Sequence, residues 1–223
     1  MADQALAYWD DLFGRLEVVA DPVEEHWIER LLPDPAARAA ISGRVLELGC
    51  GLGYDTRWLL EAGGQVTALD GSAVALDRLA AALPGPQYVQ HSLPAPLPFP
   101  AGSFDAVVAG LSLHYFPWDD TLAIINEVHR VLRPGGLFVF AVNASNDVEF
   151  GYGRGVEIEP GLFAFDGRLK RFFSEADCRR ILSTGWDMLT LLSLEEQRFG
   201  RLKRMWAAAA RAKTSEVAGW RTD

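Results

Sequence analysis

The chain is poor in the residues that hold metals or covalent crosslinks. Among 223 residues there are two cysteines and four histidines. Cys50 and Cys178 lie far apart with no metal-ligand spacing around them, which argues against a metal site and against a disulfide framework. Two free thiols in a reducing compartment is the simpler reading. No apolar run is long enough to span a bilayer. The N-terminal Met1-Ala2-Asp3-Gln4 lacks the basic and apolar regions of a secretory signal, so a cytoplasmic location and no membrane partner are expected. Positive charge is also short. Lys and Arg number 21 against 30 Asp and Glu, a net charge of −9, and such a chain repels a phosphate backbone and makes nucleic acid a poor partner. The one basic stretch, Arg198 to Lys213, mixes charged and apolar residues and reads as an ordinary surface element. Internal repeats and low-complexity segments are missing as well.

What is present is apolar surface in regular spacing. Hydrophobic residues make up 49% of the chain, enough for the core of one α/β domain. Residues 4–32 carry helical spacing through Leu6, Trp9, Phe13 and Leu16, then Val23, Trp27 and Leu31, and Pro33 and Pro35 end it. From there strands and helices alternate. The expected order is strand 44–48, helix 54–61, strand 65–69, a helix over 73–83 capped by Ser72, strand 87–90, strand 104–109, helix 121–132 and strand 137–142. This alternation implies βαβ crossovers and a doubly wound, Rossmann-like, mostly parallel sheet with helices on both faces. Residues 143–173 are glycine-rich with few periodic signals and read as a long loop, which in a compact domain is usually functional. A helix capped by Ser174 and a strand over 186–194 follow. Residues 201–212 are ambiguous: Ala207 to Ala210 favour helix by propensity, but a seventh strand is the preferred reading.

The chemistry concentrates in Val45-Leu46-Glu47-Leu48-Gly49-Cys50-Gly51-Leu52-Gly53. Gly49, Gly51 and Gly53 form a turn between a strand and a helix, where a missing Cβ lets backbone approach a ligand. A dinucleotide fingerprint needs a further glycine where this chain has Tyr54. Glu47 would repel a pyrophosphate but suits a ligand with an ammonium group, such as S-adenosylmethionine. The second strand ends in Asp70, 21 residues after Gly49, where a carboxylate accepts hydrogen bonds from ribose hydroxyls; Ser72 is free to cap the next helix in its place.

These segments resemble the first motifs of class I S-adenosylmethionine-dependent methyltransferases. Leu97-Pro98-Phe99-Pro100-Ala101-Gly102-Ser103-Phe104-Asp105 is similar to that family's approach to its fourth strand, and Glu127 to Gly136 to its "RVLRPGG" helix and turn. The resemblance implies a cofactor site of Glu47, Gly49, Cys50, Gly51, Gly53, Asp70, Gly71, Ser92, Leu93, Gly110 and Leu111, with S-adenosyl-L-homocysteine as product. Ser92 departs from the acidic residue common there. The loop Gly110 to Phe116 is placed beside the transferred methyl, so His114 is a candidate general base, although in-line alignment alone can supply most of the rate. Tyr8, Trp9, His114, Tyr115, Tyr152 and Arg154 are the candidate acceptor residues, with Arg154 suited to an anionic group and Tyr8 and Trp9 to a lid. The expected organisation is a single domain with an N-terminal helical cap over 1–40, a cofactor-binding half over 41–142 and a substrate-shaping half over 143–223. The partner expected is a small-molecule methyl acceptor, bound by a monomer or homodimer. A nicotinamide-dependent oxidoreductase and a catalytically silent S-adenosylmethionine-binding module are the alternatives.

Overall fold

The computed structural model describes residues 2–16, 18, 26–165, 167–198 and 200–214. Helix α1 (Ala2–Arg15) stands before the sheet. Val23 lies outside the described residues, while Trp27 lies in a turn and Leu31 in a short 3-10 turn, so helical spacing does not continue as α-helix there. Pro35 opens a helix instead of ending one: α2 (Pro35–Ile41) has Asp34 as N-cap, accepting from the Ala37 amide, and proline is favoured in a first turn because its missing N–H has no partner to lose.

Strands β1 (Arg44–Leu48), β2 (Gln65–Asp70), β3 (Gln87–Gln90), β4 (Phe104–Gly110) and β5 (Leu132–Asn143) are all parallel, linked by α3 (Tyr54–Glu61), α4 (Ala73–Ala82) and α5 (Trp118–Val131). β5 starts earlier than residue 137 because Leu132 pairs with Phe104 before the register shifts around the Gly135-Gly136 turn. After α6 (Glu175–Ile181), β9 (Trp186–Arg198) and β10 (Arg201–Ala212) return antiparallel, giving the order β3-β2-β1-β4-β5-β10-β9. Strand order reverses beside β1, and the cleft at the carboxyl ends of β1 and β4 is where open α/β sheets bind ligands.

Both faces of the sheet are dry. Val45, Ala106, Val139 and Ala207 face one cluster with α2, α3 and α4, whereas Leu46, Val107, Phe138, Phe140 and Ala208 face the other with α5 and α6. Alternation within β10 puts Ala207 and Ala209 on one side and Ala208 and Ala210 on the other. The alanine run is therefore a buried central strand, and pairing on both edges overrides helix propensity. It is no surface element, contrary to the expectation from its charges: Lys203 is buried, held by Asn143 and Asp147.

Residues 143–173 are not a plain loop. β6 (Val156–Glu159), β7 (Leu162–Phe165) and β8 (Arg168–Arg171) form a second, antiparallel sheet. The strands are four residues each, and the glycine turns between them hide their alternation from a helix- or strand-length window. Phe140, fully buried on the α5 side, tests the core directly. Phe140→Ala is expected to cost about 3–5 kcal/mol, read as a lower urea midpoint with an unchanged slope.

Candidate active site

The turn after β1 aims backbone at the cleft. Gly49, Gly51 and Gly53 have φ of 71°, 50° and 89°, left-handed values that side chains rarely adopt. Helix α3 begins at once, so its first amides face the same space. The lining of this cleft includes Glu47, Gly49, Cys50, Gly110 and Leu111, gathered from β1, its turn and the end of β4. Trp27, Asp55, Arg198 and Met205 join them. Leu111 holds φ 53° with its amide on the Ala141 carbonyl; a non-glycine residue in that region marks strain that the surrounding pairing sustains.

Glu47 is the most unusual group here. It is 2% exposed, and its described partner is the Thr56 hydroxyl, which donates at 2.6 Å. Burial first, then the Asp55 and Asp70 carboxylates, push its carboxyl well above the ordinary carboxylate range. Asp55 is buried beside it, accepting from Trp27 Nε1 at 2.8 Å, with His26 Nε2 at 3.1 Å. A side chain at Gly110 would put its Cβ 1.8 Å from an Asp55 oxygen, so that position must be glycine for Asp55 to reach the cleft. Burial also pushes the Cys50 thiol up, which removes it as a nucleophile.

Asp70 ends β2 across the glycine turn. Its two oxygens accept from the Gly51 and Ser72 amides, each at 2.9 Å, while Ser72 caps α4 through the Ala75 amide. Ser72 caps α4 as expected, and Asp70 is fixed in place with lone pairs to spare. Desolvation raises its pKa against these amides. Gly71 and Ser92 are neighbours, as the Ser92 Oγ would lie 3.3 Å from a Cβ on Gly71. Ser92 is exposed and Leu93 half-buried.

Helix α1 covers this rim. Asp10 takes the Ser72 hydroxyl, and Arg78 of α4 holds the Phe13 carbonyl. Phe13 lies over Gly51 and Leu6 over Gly71. Trp9 stacks on Phe13 and meets Tyr115 edge-on, ring centroids 4.9 Å apart. Tyr115 touches His114 at 4.1 Å. His114 is buried, and its Nδ1 has no hydrogen-bond partner among the described residues. Burial, then Lys170, Lys203, Arg198 and Arg168, hold its pKa well below the usual imidazole value. The ring is therefore neutral near pH 7 and a weak proton acceptor, unlike a tuned general base.

The structure brings Tyr8, Trp9, His114 and Tyr115 together but not the other two acceptor candidates. Tyr152 packs edge-on against Phe163 of the small sheet and Phe172 just after it. Arg154 is exposed in the turn before β6. Asp55, Phe13, Trp27 and Arg198 were missed in the sequence reading because they converge from separated segments. Only Asp55, two residues after the last glycine of the turn, had a local signal.

The methyltransferase domain family matches residues 46–140. A curated methyltransferase of Synechocystis, itself uncharacterised, is 42% identical over 49% of this chain and 52% of its own length. The chain spans about half the length of the curated relatives it matches. A crystallised S-adenosylmethionine-dependent methyltransferase of Methanosarcina mazei shares 24% identity with a TM-score of 0.67, covering 76% of this chain and 92% of that one. The 1,6-didemethyltoxoflavin N1-methyltransferase of Burkholderia thailandensis, solved with 1,6-didemethyltoxoflavin and S-adenosylhomocysteine, covers 96% of this chain and 91% of its own at 22% identity and a TM-score of 0.63. The sheet order, the glycine turn and these similarities agree: residues 46–140 match the methyltransferase domain family, and the fold is that of the S-adenosylmethionine-dependent methyltransferases it resembles.

Proposed function

We propose that this protein binds S-adenosylmethionine at the carboxyl ends of β1, β2 and β4 and methylates a small-molecule nucleophile beside His114. The observation that carries the reading is the buried Glu47 carboxylate, lacking any described cation partner, beneath the glycine turn. A desolvated carboxylate is costly until a cation arrives, and the cleft offers that cation a second carboxylate in Asp55. The residues fit this cofactor: Glu47 and Asp55 for an ammonium, Arg198 for an α-carboxylate, Asp70 for ribose hydroxyls and Ser92 and Leu93 for the adenine edge. When bound, the cofactor supplies an electrophilic methyl on a sulfonium.

The chain's own contribution is placement. The rings of α1 exclude water from the rim. Neutral His114 offers a hydrogen bond to orient an acceptor, and alignment then carries much of the rate. The full-length likeness to an enzyme solved with a small heterocycle in place supports a small acceptor.

Two measurements bear on this reading. S-adenosylhomocysteine is expected to raise the melting temperature and NAD to leave it unchanged; stabilisation by NAD alone would overturn the proposal. The variant E47Q removes the buried charge. Because the folded pKa of Glu47 is raised above the unfolded value of about 4.3, the native state holds more protons, and the ligand-free protein loses stability as pH rises through that window. E47Q is therefore expected to melt a few degrees higher than wild type at neutral pH, by about 2–4 °C per kcal/mol, while binding S-adenosylhomocysteine at least about tenfold more weakly. Calorimetry and a melting curve on the same sample read both effects.

A further inference from the structure

Strand β8 carries cations on both faces, and only one face is neutralised. Arg171 points into the protein. It pairs with Glu159 and donates to the Phe116 and Pro160 carbonyls. Arg168 and Lys170 are two residues apart, so they share the opposite face. Neither meets a carboxylate within ion-pair distance among the described residues.

Both are nonetheless held in place. Arg168 Nη1 donates to the Tyr8 hydroxyl at 2.6 Å, its guanidinium lies 4.3 Å from the Tyr8 ring, and its Nε is buried without a hydrogen-bond partner among the described residues. Lys170 Nζ donates to the Phe150 carbonyl at 2.8 Å and lies 5.4 Å from the Phe172 ring. Asp147 is the acid that acts on Lys170, but Lys203 already binds it. Burial, with Lys203, Arg168 and Arg201 nearby, lowers the Lys170 pKa to about 7. Both cations also act on the buried His114.

A chain with a net charge of −9 thus concentrates positive charge, unpaired by any described carboxylate, near His114 and Tyr8, with aromatic walls around it. Gathering like charges in a partly dry site is unfavourable unless an anion answers them. An arginine fork beside a lysine suits the planar or tetrahedral oxygens of a carboxylate or a phosphate. We infer that Arg168 and Lys170 form an anion subsite that holds a carboxylate or phosphate group of the methyl acceptor, tied to the α1 lid through Tyr8. The word acceptor rests on the proposed function; the anion subsite itself does not.

The test is a titration of the full chain with acetate and with inorganic phosphate at constant ionic strength, with and without S-adenosylhomocysteine, in wild type, Arg168→Gln and Lys170→Gln. The expected result is saturable binding of at least one anion, weakened at least about tenfold in each variant, with S-adenosylhomocysteine affinity kept within about twofold because the sites are separate. The preferred anion tells carboxylate from phosphate. Absence of saturable binding of either anion, or binding that persists in both variants, overturns the proposal. Failure of wild type to bind S-adenosylhomocysteine overturns the methyl-transfer reading instead, and the titration without it still reads the subsite. As a second readout in wild type, either anion is expected to slow acylation of the Lys170 amine; equal labelling with and without anion also overturns the proposal.

Discussion

The organisation of this protein depends on one electrostatic constraint, a carboxylate buried at the end of a central strand. β1 is dry on both faces, so Glu47 cannot leave the core without turning the strand. Its neighbours make matters worse, since Asp55 and Asp70 both oppose its charge. The surroundings follow from holding this cluster together. Thr56 satisfies one oxygen, Trp27 and His26 clamp Asp55, and Gly110 gives up its side chain so that Asp55 fits. A carboxylate buried this way is unfavourable when empty of positive charge, and on the proposed function that cost becomes selectivity for a cationic ligand.

The second half answers the first with the opposite sign. The extra antiparallel sheet is small and buries little of its own, but it turns β8 so that Arg168 reaches Tyr8 of α1 while Lys170 on the same face meets Phe150 and Phe172. The Trp9, Tyr115 and His114 rings pack against one another, and Arg168 and Lys170 both act on His114. On the proposed function, an acidic cluster for the cofactor and a basic one for the acceptor would bring two ligands toward a shared point, which is most of what an alignment-driven transfer needs.

The parts of this arrangement legible in the sequence are those set by short-range rules. The glycine turn, Asp70 beside a separate cap at Ser72, and the parallel strands follow from backbone sterics and periodicity within a few residues. Residues 201–212 sat on the boundary, and pairing with β5 and β9 decided for strand. What could not be read is convergence. Arg154 is exposed in a turn, whereas Arg168 is held by Tyr8 of α1, and the Tyr152 ring packs against Phe163 and Phe172 instead of the rim. Strands of four residues between glycine turns leave no periodic trace, so which of several cations and rings in residues 143–173 faced the cleft depended on a sheet that local pattern does not reveal. Phe13 was visible as an apolar helical position, but its place over Gly51 depends on how α1 lies against α4.

If the buried carboxylate organises the site, cation binding must draw a proton from it. Calorimetric titration of S-adenosylhomocysteine at mildly acidic pH, in two buffers of different ionisation enthalpy, counts that proton. Wild type is predicted to release protons on binding, because the ligand's ammonium lowers the raised pKa of Glu47, and the variant E47Q is predicted to release markedly fewer. Binding that is proton-neutral in wild type, or equal release from both proteins, would contradict the account.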